Sequence, residues 1–336
     1  MAHWTCGFEV ADLTYYQEQG WVFTACSIVT TAGRFHTSFA SRGGVTSLNI
    51  GSAAETPIIG TGGRWLHFWT EGWGGSAGQL GAVFKITSAD NASVVFLGNG
   101  TIQIRRGSAQ VGTLLAVGSF NPQVAHWMAI EANLQTTGQV TVYVDGVQVA
   151  QFVGDTANNS DDWDQVEFDP TNSFNRTIDD IIVTTAAEGQ LSEFFLPLLL
   201  PTGNDVIGSG AGSTGGAGTF ANVDELPPDG GTSYNEFTAG GTDRYTAANL
   251  GYTPATIHSV TVMNQAARDG TITAAQTVCA TDTGGGGPTE ALGTSTGLGA
   301  AGVYVPWQDT FNVDPNTAAA WTITGLDDLR IGVKFS

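Results

Sequence analysis

The sequence predicts an all-β protein of two domains. Apolar and polar residues alternate at period two, Gly-containing turns recur at short intervals, and the composition is rich in Gly and poor in charge. The clearest stretch is 126–156, HWMAIEANLQTTGQVTVYVDGVQVAQFVGDT. There Met128, Ile130, Ala132 and Leu134 alternate with Trp127, Ala129, Glu131 and Asn133, the pattern of a strand with one buried face. After the Thr136-Thr137-Gly138 turn, Val140, Val142 and Val144 alternate with Thr141, Tyr143 and Asp145. Asp145-Gly146 suits a type I′ turn, which needs positive φ at both central positions, and a third run at 147–153 completes an antiparallel meander. Hydrophobic residues make up 41% and charged residues 12%, with 46 glycines. The charged share is about half the usual one, and the glycines supply tight turns rather than helices.

The remaining elements follow in order. Strand-like runs occupy 4–10, 34–40, 45–50, 64–70, 80–88, 93–97, 101–106 and 110–117, then the meander, then 164–168 and 177–184. Gly43-Gly44, Gly62-Gly63, Asn99-Gly100 and Asn121-Pro122 punctuate them. Short strands at roughly 8–12-residue spacing indicate a sandwich or jelly roll. Both faces of 65–70 are apolar, which places that strand centrally and Trp65 and Trp69 in the core. This first domain is expected over 1–188, and residues 189–218 read as a junction with a Gly-rich arm. A smaller β domain follows over 219–336, with strands at 257–263, 302–308, 321–323 and 329–335.

The first domain resembles the concanavalin A-like, laminin-G-like jelly rolls. The segments GFE (7–9), GRFHTSFAS (33–41), WLHFW (65–69), the Trp127 strand, VYVDG (142–146), GDT (154–156) and IDDIIV (178–183) stand in that family's order. The resemblance implies a sandwich that binds sugars, binds proteins or hydrolyses glycans. The second half is similar to a domain of tailed-bacteriophage virion proteins, carried by VDELPPDGGTSYNE (223–236), IHSVTVMNQAARDGT (257–271) and the closing WQDTFNVDPNTAAAWTITGLDDLRIGVKFS (307–336).

Charge and cysteine content narrow the function. The formal net charge is −20 and only Lys85 and Lys334 are lysines, so no surface could neutralise a run of phosphates, which excludes nucleic acid as a partner. Cys6, Cys26 and Cys279 form an odd set without metal-ligand spacing; a Cys6–Cys26 bridge is open to them, but small buried thiols are the expectation. EFFLPLLLP (193–201) is too short for a bilayer and contains Pro, and MAHWTCGFEV reads as a strand rather than a leader.

Three candidate sites stand out. Asp162-Trp163-Asp164-Gln165-Val166-Glu167 resembles the acidic strand of laminarinase-type jelly-roll glucanases, with Asp164 and Glu167 as the carboxyl pair, but Asp162 stands where that family has its nucleophilic Glu. The position near the domain end points away from catalysis, so no enzymatic activity is expected. Asp155, Asp161, Asp162 and Asp164 could supply oxygens to Ca²⁺, the one cofactor considered. Trp73, with Asp161, Asp162 and Trp163, is the expected carbohydrate-binding set, since aromatic faces stack on pyranose rings. Phe194, Phe195, Leu196, Leu198, Leu199 and Leu200 form an apolar run expected at an assembly interface. The five histidines lack zinc-protease spacing, and the 208–218 glycines open no helix, which excludes a phosphate loop.

The two resemblances together imply a non-enzymatic bacteriophage virion protein on the particle surface, a tail-associated fibre or adhesion protein touching a host glycan. A capsid decoration or head-fibre protein is the alternative, and a jelly-roll glycan hydrolase the third. Its implied partners are other virion proteins, further copies of itself (a trimer among the options) and a host surface glycan, with no membrane insertion.

Overall fold

A computed structural model describes residues 2–6, 13–29, 47–70, 78–170, 176–191, 196, 198–207, 220–224, 234–235, 240–250, 253–254, 256–268, 272–282 and 288–336. The chain divides into two compact units, Met1–Leu196 and Pro197–Ser336. The expected strand at 34–40, the segment GRFHTSFAS, and the loops 208–218 and 284–287 lie outside the described residues.

The first unit is built from β1 (Ala2–Cys6), α1 (Leu13–Glu18), β2 (Val22–Val29), β3 (Ser47–Glu55), β4 (Trp65–Thr70) and β5 (Gln79–Ile86). Next come β6 (Ala89–Leu97), β7 (Thr101–Arg106), β8 (Thr113–Ser119) and the meander β9 (His126–Asn133), β10 (Gly138–Val144) and β11 (Val147–Gly154). Strands β12 (Gln165–Asp169) and β13 (Arg176–Thr184) close it. The hydrogen-bonded order is β11-β10-β9-β4-β13-β3-β12-β5-β6-β7-β8, with β1 on β13 and β2 on β3, all antiparallel. Strand β3 pairs with β2 along one edge and with two strands in turn along the other: residues 48–50 pair with β13 and 54–55 with β12. This shared strand joins two layers that fold face to face.

Alternation explains the core. Leu66, Phe68, Met128, Ile130, Val140 and Val142 point inward from one layer, and Leu80, Phe84, Val94, Phe96, Ile102, Ile104, Val166 and Phe168 from the other. Phe68 meets Phe168 edge to face at 5.3 Å and Phe96 at 6.2 Å. As expected, β4 is buried on both faces, between β9 and β13. Asp145 (φ 50°) and Gly146 (φ 82°) adopt the left-handed pair that the β10–β11 turn demands.

Some boundaries differ from the sequence reading. Residues 13–18, without a strand pattern, form α1. The expected run 110–117 begins as a loop that covers Val83 and Val95 with Ala109, so β8 starts only at Thr113. Cys6 and Cys279 are buried, as expected of small thiols, and Cys26 is partly buried, its Sγ donating to the Ala53 carbonyl at 3.1 Å.

The second unit contains β14 (Pro201–Ile207), β15 (Thr242–Ala247), β16 (Val260–Ala267), β17 (Ala274–Thr281), β18 (Thr289–Leu292), β19 (Thr296–Gly297), β20 (Tyr304–Phe311), α2 (Ile323–Asp327) and β21 (Arg330–Phe335). One sheet runs β14-β15-β21-β17-β18 with β19 on β17, and β16 pairs with β20. Val260, Val262, Leu250, Cys279, Trp321, Leu326 and Leu329 form its core. Two expectations are corrected. Part of the 189–218 junction is strand β14, held by β15. Residues 321–323 are not a strand: Trp321 enters the core, and the Thr322 hydroxyl accepts from the Gly325 N–H at 3.1 Å to cap α2.

Trp163 is 1% exposed, packs edge to face on Phe84 at 4.9 Å and donates from Nε1 to the Ala132 carbonyl at 3.1 Å. Trp163→Ala should therefore destabilise the protein by about 3–5 kcal/mol, measured as a lowered urea midpoint of the first unit's transition.

Candidate functional site

The described cavity nearest to a recognition site lies at one end of β4 and β9. Register sets it: Trp69 stands opposite Trp127 and Thr70 opposite His126. Because Phe68 and Met128 face the core, both tryptophans lie on the outer face of their layer. The β10–β11 turn brings Asp145 back over them. Its Oδ1 accepts from the Trp127 N–H at 2.9 Å and its Oδ2 lies 2.7 Å from His126 Nδ1. His126 Nε2 meets the Asn121 carbonyl oxygen, so the imidazole is clamped between two acceptors. A cavity of about 220 Å³ opens here, lined by Trp69, Ala125, His126, Trp127, Asp145 and Gly146. That is below the roughly 300–1,000 Å³ of pockets for drug-sized ligands, so it suits one small polar unit. The Asp145 side chain is 55% exposed and keeps free lone pairs for a ligand's hydroxyl groups.

Behind the cavity, Trp65, His67 and Trp127 form a stacked row, with centroids 5.9 and 6.4 Å apart. Leu191 and Leu196 cover part of this face: the Leu191 N–H donates to His67 Nε2 at 3.1 Å, and both leucines join Trp69, Trp127 and Ile182 in one cluster.

The other layer carries a charged cluster on its outer face. Glu167 on β12 stands opposite Glu55 on β3, and Lys85 on β5 bonds both, at 2.6 Å to Glu55 and 2.7 Å to Glu167. Burial opposes the Lys85 ammonium, but hydrogen bonds and charge from Glu167 and Glu55 outweigh it and raise its pKa above the ordinary lysine value. Asp169, two residues on from Glu167, has a raised pKa. Burial is the main cause, the Gln110 hydrogen bond opposes it, and the negative charges of Glu167 and Asp90 add to it.

The expected sites fare differently. Trp163 is a core residue, so its ring cannot serve as a sugar platform. Trp73 lies outside the described residues. Asp161 is exposed, and Asp162 Oδ1 accepts from the Trp163 N–H at 2.8 Å. The Asp164–Glu167 pairing is corrected: Asp164 Oδ1 accepts from the Thr87 N–H at 3.3 Å, while Glu167 meets Glu55 through Lys85.

The four acids expected to bind Ca²⁺ are not brought together. Asp155 pairs with Arg106, and no group of three His, Cys, Asp or Glu suited to a metal occurs among the described residues. A buried asparagine organises this loop instead. The Asn91 amide donates to the carbonyls of Ser160 (2.6 Å) and Asp162 (2.9 Å), and its oxygen accepts from the N–H groups of Asn158 (2.6 Å) and Asn159 (2.9 Å).

The apolar interface run is also broken up. Phe194 and Phe195 lie outside the described residues; Leu196 packs on the first unit and donates its N–H to Asp180 Oδ1 at 3.0 Å. Leu199 packs against the second unit's core, the Leu200 carbonyl accepts from Ala248, and Leu198 is exposed. Sequence reasoning missed His126, Asp145, Asn91 and Glu55. The scarcity of lysine, which leaves Lys85 among so many acids, was the one signal that could have found the charged cluster.

No family model matches the chain, and no curated protein matches its sequence. Solved structures do match. A Bacillus subtilis protein of unknown function with a galectin-like fold is 12% identical, with 54% of this chain and 98% of that one covered and a TM-score of 0.35. An endo-β-1,4-glucuronan lyase from the fungus Trichoderma reesei is 11% identical, covering 55% and 96%, at 0.37. A carbohydrate esterase from the Shiga toxin-encoding bacteriophage phi24B is 14% identical, covering 55% and 98%, at 0.37. The chain's own strands show the expected all-β class. The expectation that the protein is not an enzyme is corrected. The lyase, the esterase, a sialidase and a lichenase are among the structures matched.

A raised carboxyl pKa means that ionised Asp169 costs folding stability: its contribution is fully favourable below the unfolded value and is lost as pH rises through the folded one. Asp169→Asn should raise Tm at neutral pH, with the gain disappearing as pH falls to about 3, measured by thermal melts across that range.

Proposed function

We propose that the first unit is a glycan-recognition module whose site is the Trp69–Trp127–Asp145 cavity. The observation that carries this reading is the convergence of two indole edges and an exposed, oriented carboxylate on one small cavity. Sugars need that combination: an apolar wall for their C–H faces and charged acceptors for their hydroxyls. His126 holds Asp145 in position and is thus a positioning residue. In the reading that the second half's resemblance supports, the module is displayed on a bacteriophage particle, where glycan contact would attach the particle to a host.

Asp145→Asn keeps the type I′ turn, since Asn is favoured there, and removes the charge. A hydrogen bond to a charged group contributes about 1.5–3 kcal/mol, so affinity for a glycan identified on an array should fall by roughly 10- to 100-fold. Unchanged affinity in the variant, or no glycan bound by the parent protein, would overturn the assignment.

Glu55 and Glu167 favour a second reading, glycan cleavage. They face each other across paired strands, and because both bond Lys85, the bonded oxygens can be no further apart than the sum of the two ion-pair distances. Retaining glycosidases place their carboxyls about 5–5.5 Å apart. A carboxyl acting as proton donor must first leave Lys85, so substrate binding would have to displace that ammonium. Reducing-sugar release from the bound glycan, abolished by Glu167→Gln, is the expected result; equal release by the variant, or none by the parent, rejects it.

A further inference from the structure

Residues 185–191 follow β13, belong to no strand, and return over the outer face of β4. They start beside Trp65, which pairs with Thr184, and end at His67. Glu188 closes the first turn: its Oε2 accepts from the Thr185 N–H at 3.0 Å and from the Thr185 hydroxyl. Gly189 (φ 66°) then bends the chain, with open space around it. The far end is pinned by packing and by one hydrogen bond. Leu191, 5% exposed, joins Trp69, Trp127 and Ile182, and its N–H donates to His67 Nε2 at 3.1 Å. His67 itself is fully buried, stacked between Trp65 and Trp127.

That hydrogen bond dictates a protonation state. A backbone N–H can only donate, so Nε2 must offer its lone pair and the ring must be neutral, with its proton on Nδ1. An imidazolium donates from both nitrogens, and its Nε2–H would then oppose the Leu191 N–H. The rest of the face pulls the other way. On β13, Asp179 stands opposite Trp69 and Asp180 accepts from the Leu196 N–H. On β9, Glu131 pairs with Arg64 and His126 with Asp145 of the following turn. Tyr143 of β10 lies against Trp65, and Glu188 is in the segment itself. This set is mainly acidic and favours a proton on the imidazole. The docked Leu191 N–H opposes it at the ring.

We propose that residues 185–191 are a proton-released strap, held down by neutral His67 and freed when the imidazole takes a second proton in mild acid. The docked form binds one proton fewer than the released form. Docking is therefore favoured at high pH and lost as pH falls through the imidazole range, about 6.5. Trp69 and Trp127, which the strap covers through Leu191, also line the cavity, so release uncovers more of its apolar wall. The inference concerns the strap and stands whether or not the cavity takes a glycan.

Amide exchange of the full chain, corrected for the intrinsic pH dependence of exchange, tests it. Between about pH 8 and about pH 5, protection of 185–191 should fall roughly tenfold per unit below about 6.5, while β5, β6 and β7 keep theirs. His67→Gln retains an acceptor for the Leu191 N–H but cannot take up the proton. Its strap should stay protected across the range, with no step. A second measurement covers the case in which this buried variant misfolds. In ¹⁵N-histidine-labelled parent protein, a ring that carries its proton on Nδ1 at high pH should become doubly protonated over the interval of the exchange step. Protection of 185–191 unchanged across the range, a loss shared by β5, β6 and β7, a step retained in folded His67→Gln, or no such histidine titrating with the step overturns the proposal.

Discussion

Phe68 of β4, wedged edge to face against Phe168 of β12 and near Phe96 of β6, is the contact on which the first unit depends. It locks the inward face of the central strand of one layer against two strands of the other. Each such side chain contributes about 1.5–3 kcal/mol by burial, and the inward row of β4 is continued by Met128 and Ile130 on β9 and by Val140 and Val142 on β10. Register follows from it. A slip of one residue would send Trp65, His67 and Trp69 into the interlayer space and Leu66 and Phe68 out, so the core forbids it. Once inward residues are fixed, the outer row has no freedom, and Trp69 must stand beside Trp127.

The same constraint builds the second layer's outer face. Val166 and Phe168 commit β12's even positions inward, which leaves Gln165, Glu167 and Asp169 outward next to Lys85. Where the chain leaves the strands, buried polar groups take over. Asn91 holds the 158–162 loop by both ends of its amide, and the Thr56 hydroxyl accepts from the Val166 N–H at 3.0 Å.

The second unit shows comparable economy at its closing segment. Asp314, almost fully buried, accepts from the Thr281 hydroxyl and from the Asn316 N–H at 2.8 Å. Gly325 lies so near that a Cβ there would come within 2.6 Å of the Asp314 carboxylate. The Asp-Pro-Asn-Thr and Thr-Gly-Leu segments are thus two sides of one contact, ahead of the final strand β21. Burial, with Asp314 nearby, raises the pKa of the Cys279 thiol, in keeping with its place in the core.

Local pattern by itself determined the all-β class, the β9–β10–β11 meander, the Asp145-Gly146 turn and the burial of β4 on both faces. Each of these is settled by residues within a few positions of one another. Trp163, a ring that the sequence places in an acidic loop, belongs to the core because Phe84 and the Ala132 carbonyl, far away in sequence, receive it. The groups that matter for recognition were hidden for the same reason: His126 meets Asp145 only through the folded meander, and Glu55 meets Glu167 only through the pairing of β3 with β12. Periodicity fixes which face a side chain takes. Only closure of the two layers decides which distant side chain it will find there, because that choice is made by long-range strand pairing, which no local pattern encodes.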